Sequence, residues 1–202
     1  LLIKKRSYNF WYVYSICFIA AMGGLMFGFD LGIITGVVPY IEHQFGLSGF
    51  SLGLVVAIFE LGAMAGALGT ARVADKYGRK KIMMVCAFLF CVTALGVGYA
   101  SGAVSLAIWR FAQGICVGAA SVLSPMYIAE ISPARLRGRL VALFQFNIVT
   151  GILIAFLSNY LIDTYIESYS WRWMLGVMAI PAFIYFVFLF FVPNSPRWLV
   201  MK

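Results

Sequence analysis

The stretch AMGGLMFGFDLGIITGVVPY, Ala21 to Tyr40, decides the fold. It lies inside an apolar segment starting at Trp11 that exceeds the roughly 20 residues a helix needs to cross hydrocarbon. Gly24, Gly28, Gly32 and Gly36 recur every fourth residue and form one stripe along a helix. Such a stripe lets another helix's backbone come close, which is how helices pack where lipid removes the hydrophobic drive. Asp30 stands two residues from both Gly28 and Gly32 and therefore points the opposite way, with Phe27 on its own face. An ionised carboxylate at membrane depth is costly, so it faces a partner or a water-filled cavity. One side of this helix is built for packing and the other carries a charge with an aromatic beside it.

The surroundings agree. Hydrophobic residues make up 63% of the chain and charged residues 11%, a balance no ordinary soluble domain has. Six apolar segments run over 11–39, 50–73, 82–100, 103–127, 140–162 and 173–192, each long enough to span about 30 Å as a helix. The chain is predicted to be an all-α integral membrane protein. The first segment, although preceded by Lys4, Lys5 and Arg6, is too long for the apolar region of a signal peptide.

The net charge of +8 is a topology signal and does not point to nucleic acid. Of the 15 basic residues, 13 fall before the first segment, around the turn between the second and third (Arg72 at the end of the second included), between the fourth and fifth, and after the sixth. The positive-inside rule then places both termini in the cytoplasm, in a plasma membrane or a bacterial inner membrane. Cys17, Cys86, Cys91 and Cys116 all lie in apolar segments and read as small buried hydrophobes. His43 is expected in a short outer loop, solvated. Nothing in the sequence calls for a metal or a cofactor, and no nucleophile triad points to an enzyme.

The remaining segments add polar groups. Glu60 is a second intramembrane acid, either a relay group or a neutral acid bonded to a neighbouring helix. In the fourth segment Arg110, Gln113, Ser121 and Ser124 share one helical face, expected to line a cavity. Asp30 and Arg110 lie at similar distances from the outer ends of their segments, about 10–12 Å deep at 1.5 Å per residue, so matched depth and opposite charge pair them. That pair is either purely structural or functional. In the fifth segment Gln145, Ile148, Ile152 and Asn159 share a face, and the glutamine is either a helix-packing group or a ligand.

Three motifs carry a resemblance. Asp75-Lys-Tyr-Gly-Arg-Lys80 is similar to the loop 2–3 signature of the major facilitator superfamily, with Ala71 where that pattern starts on glycine. Pro125, Tyr127, Glu130, Pro133, Arg137 and Gly138 resemble the sugar porters' P-x-Y-x-x-E-x-x-P-x-x-x-R-G. Pro193-Asn-Ser-Pro-Arg197 is similar to the P-E-S-P-R that closes their sixth helix, with Asn194 in place of the acid, and Trp171-Arg-Trp173 also fits.

The resemblance implies the N-terminal half, residues 1–202, of a twelve-helix transporter whose six-helix halves each hold two inverted three-helix repeats. It implies transport of a hexose or pentose by alternating access, with Phe27, Gln145, Ile148 and Ile152 against the sugar. The polar face adds Gln113 and Ser121 as substrate contacts. Asp30 with Arg110 would couple proton movement to the sugar, because proton-coupled members carry aspartate there and mammalian glucose facilitators asparagine. One proton-coupled member has a glutamate in helix six where this chain has Met178, so Glu60 stands as a possible substitute. Asp75, Arg79, Glu130, Arg137 and Arg197 would latch the cytoplasmic face. The expected partners are the monosaccharide, the proton, the lipid bilayer and the C-terminal six-helix half. A facilitative uniporter or a non-transporting sugar sensor would share these motifs.

Overall fold

The computed structural model describes residues 10–47, 49–166, 169–195 and 198, and every regular element among them is helical. The order is α1 (Phe10–Phe45), α2 (Gly49–Tyr77), α3 (Arg79–Gly98), α4 (Ala103–Ile131), α5 (Arg137–Tyr165), α6 (Ser170–Gly176) and α7 (Ala179–Leu189). Long apolar runs leave little alternative, since a helix satisfies its own backbone groups inside lipid.

The helices extend past the segments read from hydropathy. α1 continues through Pro39 to Phe45, so His43 sits exposed on its last turn and not in a loop. α2 reaches Tyr77 and α3 begins at Arg79, leaving Gly78 alone as the connection, at φ +93°, a conformation glycine adopts without steric cost. The sixth span is two pieces. Pro181 has no N–H for the Val177 carbonyl, which instead accepts from Ile180 at 3.0 Å, so the helix breaks between α6 and α7 as proline dictates.

Two parallel helix pairs make the frame. α1 lies along α5, its glycine ladder meeting residues 120 positions further on: a methyl on Gly24 would sit 2.6 Å from the Phe144 carbonyl oxygen, and one on Gly28 only 1.9 Å from that of Ile148. α2 lies along α4 in the same way, where Gly114 and Gly118 press on the carbonyls of Phe59 and Ala63, at 2.1 and 1.9 Å from their would-be methyls. The first helix of each three-helix unit thus packs on the second helix of the other, while α3 packs against α6 and α7. This is the pseudo-twofold exchange expected of two inverted repeats.

Polar ties fix the ends of the helices opposite the basic residues. Tyr40 on α1 donates to Asp163 on α5, and the Trp171 indole donates to the Gln44 side chain at 2.5 Å. Outside the packed seams the bundle presents large apolar side chains, such as Phe146, Leu153 and Leu157 of α5, which are 58–68% exposed. Such a surface suits lipid or a second helical body, not water. All four cysteines are free thiols within helices.

Candidate functional site

Because the ladders lock α1 to α5 and α4 to α2, the polar faces of α1 and α4 meet at one place. There Arg110 grips Asp30 with both terminal nitrogens: Nη1 donates to Oδ1, and Nη2 donates to Oδ2 at 3.1 Å. This two-pronged contact is the strong form of an arginine–carboxylate bond. The residues are 2% and 1% exposed. The guanidinium also lies 4.6 Å from the centre of the Phe59 ring on α2, where the ring face favours a cation. Arg110 Nε has no hydrogen-bond partner. The pair, its two residues 80 positions apart in sequence, is the one that matched depth predicts. Phe59 was not legible, because hydropathy alone does not separate it from other apolar residues of its span.

The pair borders a groove between α1 and α2 of about 560 Å³, which Glu60 also lines. Glu60 itself is exposed.

On the neighbouring face, the α1–α5 register places Phe27 level with the turn of α5 that holds Gln145 and Ile148. Gln145 is exposed, while Phe27, Ile148 and Ile152 are half-buried. Together they form an apolar wall with one amide free to reach outward, chemistry suited to a ligand with hydroxyls and weakly polar faces.

The other polar residues are placed differently from the expected cavity stripe. Gln113 is fully enclosed, its Nε2 near Met178 Sδ at 3.8 Å and its Oε1 without a partner. Ser124 is buried where α4 crosses Gly23. Ser121 is half-exposed, but its hydroxyl donates to the Gly118 carbonyl at 2.8 Å. Asn159 is buried, donating to the Gly32 and Ile33 carbonyls at 3.2 and 3.3 Å, which makes it a tie between α5 and α1. The helical projection placed these groups on one face of each helix. It carried no information on which neighbour would cover them.

At the end of the bundle bearing the basic residues, a second cluster forms. Arg79 is buried, its Nη2 is 2.6 Å from Asp75 Oδ1, and its Nε is 3.2 Å from Glu130 Oε1. Glu130 Oε2 accepts from the Ser195 hydroxyl, and the Tyr127 hydroxyl donates to the Pro193 carbonyl at 2.6 Å. The two bonds join the end of α4 to the chain leaving α7. Asn194, standing where the family pattern has an acid, is exposed and its neighbour Ser195 makes the link. Arg137 is exposed and shares a cavity of about 320 Å³ with Glu130, without an ion pair to it. Arg197 lies outside the described residues. Ser195 and Tyr127 belong to the quoted motifs, so their position was legible and their partners were not.

A six-helix bundle of inverted repeats with a buried charge pair is the architecture of half a secondary transporter. Residues 16–202 match the family described as sugar (and other) transporter, and the chain belongs to that family, within the sugar porters of the major facilitator superfamily. The chain is 42% identical over 209 residues to a glucose transport protein of Synechocystis, covering 98% of this chain and 45% of that protein. It is 39% identical over 199 residues to the galactose-proton symporter of Escherichia coli K12, covering 98% of this chain and 42% of the relative. Among solved structures, the proton:xylose symporter XylE bound to 6-bromo-6-deoxy-D-glucose superposes with a TM-score of 0.91 at 33% identity, over 96% of this chain and 47% of that one. The chain therefore spans less than half the length of these relatives, matching their N-terminal half. It is a multi-pass membrane protein.

Proposed function

We propose that this chain is the N-terminal half of a proton-coupled monosaccharide transporter working by alternating access with a second six-helix half. The observation that carries the reading is the buried Asp30–Arg110 pair at the edge of an open groove, in a chain whose relatives include a protein named galactose-proton symporter. Sugar would lie against Phe27, Gln145, Ile148 and Ile152, with Ser121 and Gln113 reaching it only if the helices shift. The second half supplies the opposite wall.

A carboxylate that loses its arginine in an apolar bundle is left uncompensated and takes a proton instead. Movement of Arg110 as the halves rock thus ties the charge state of Asp30 to which side the site faces. At the basic end, assigned to the cytoplasm by the positive-inside rule, Asp75, Arg79 and Glu130 with Ser195 would hold the halves closed on that side. Arg137, exposed beside Glu130, would add its charge to that gate.

The test is Asp30→Asn in the complete two-half transporter reconstituted in vesicles. Uphill accumulation driven by a proton gradient should be lost, while sugar counterflow stays within about twofold of wild type. Accumulation at the wild-type level in that variant would remove Asp30 from the coupling.

A further inference from the structure

The groove between α1 and α2 holds a carboxylate that the ion pair does not use. Its walls descend from Val38 and Gly49 at the outer ends of the two helices, past Ile34 and Gly53, to Asp30, Arg110 and Glu60. Around a methyl on Gly53 there would be open space, with no atom within 4 Å. Apart from the three charged groups, the described lining is glycine, alanine, valine, leucine and isoleucine.

Glu60 stands eleven residues into α2 and is exposed, which puts it about 16 Å along the helix from its outer end. A carboxylate there without a cation or water is costly. Among the described residues lining the groove, the charged groups facing it are Asp30 from α1 and Arg110 from α4. Arg110 spends both terminal nitrogens on Asp30, yet its buried Nε has no partner. One cation thus shares the groove with two carboxylates, bonded to one of them and carrying an unused donor.

Building on the proton-coupled reading, we propose that Glu60 is the alternate seat of Arg110. A proton entering along the groove bonds to the Asp30 carboxylate and neutralises it. The guanidinium, still charged, leaves Asp30 for the Glu60 carboxylate. When the proton departs toward the other side, Arg110 returns. The three groups pass from a net charge of −1 to 0 and back, and at each stage the cation keeps an anionic partner.

The experiment uses the complete two-half transporter in vesicles and measures sugar uptake across a pH series for wild type, Glu60→Gln and Glu60→Asp. Removing the second seat, and with it a neighbouring negative charge, makes Asp30 harder to protonate. The pH of half-maximal uptake should therefore fall by about one unit in Glu60→Gln. Counterflow well below that pH should stay within about twofold. Glu60→Asp keeps the charge on a shorter stem and should fall between the two. A wild-type profile in either variant overturns the seat for Arg110, whichever of the two reaches the membrane. If sugar causes no proton uptake even in wild type, the proton-coupled reading itself fails and this inference with it. If wild type takes up protons and Glu60→Gln is indistinguishable from it, only the inference fails.

Discussion

Gln145 shows what a single residue can decide. Its side chain is exposed on α5 at the level of Phe27, in a helix tied to α1 through close backbone contacts, Asn159 and the Tyr40–Asp163 bond. If it is a ligand for a sugar hydroxyl, Gln145→Ala removes a bond whose loss leaves a buried partner unsatisfied at about 1–3 kcal/mol. Sugar affinity should then weaken roughly five- to a hundredfold. The melting temperature without sugar should hardly change, because the side chain is exposed. A lowered melting temperature at unchanged affinity would assign it to packing. Asp30 and Arg110 were legible because depth along a helix is fixed by residue count, and the structure joins them. Gln113 and Asn159 were not: a helical projection gives an angle, and only the neighbouring helix decides whether that angle opens on a cavity or on a covering backbone.

At the scale of the helix, the ladders are the strongest statement the sequence makes. Period four in Gly24–Gly36 told that some helix packs there, and the structure identifies it as α5, at the closeness of a backbone-to-backbone seam. Which helix it would be was not legible, since α2, α3, α4 and α5 are all apolar. Gly28→Leu must push α5 away from α1, because the Ile148 carbonyl oxygen of α5 would lie 1.9 Å from the first added carbon. Overpacking of this kind costs typically about 1–3 kcal/mol or more, and purified protein should show a clear loss in thermal melting or fail to accumulate. Gly69, where a methyl meets nothing within 4 Å, is the control. Gly69→Ala should be neutral or gain up to about 1 kcal/mol.

The same scale governs the charged cluster that joins α2, α3, α4 and the segment after α7. Glu130→Gln takes the charge from the group that meets buried Arg79 and accepts from Ser195, and breaking such a buried pair costs about 3–5 kcal/mol. In the complete transporter this should favour states open at the basic end and slow alkylation of cysteines placed in the opposite vestibule. Wild-type labelling and transport rates would leave those charges with a role in topology alone. The break in the sixth span was the element least legible from hydropathy, because Pro181 lies in an unbroken apolar run and acts on a carbonyl four residues back.

As a whole molecule, this bundle has packed seams within itself and an outer surface of large apolar side chains. The ladders on α1/α5 and α2/α4 let it fold in a membrane by close packing, so the isolated chain should give a cooperative melt in detergent. Transport is a different demand, since alternating access needs a second body to rock against. Alone in vesicles the chain should show no saturable, stereospecific uptake, and co-expression with the second six-helix half should restore it. The central claim, coupling of a proton to the sugar through Asp30 and Arg110, is tested most directly on that complete assembly. Sugar is added to de-energised vesicles or cells, and the external pH is followed. The account predicts a transient alkalinisation that appears with transported sugars only and vanishes in Asp30→Asn. Saturable sugar entry with no pH change, and no response to collapsing the proton gradient, would contradict it.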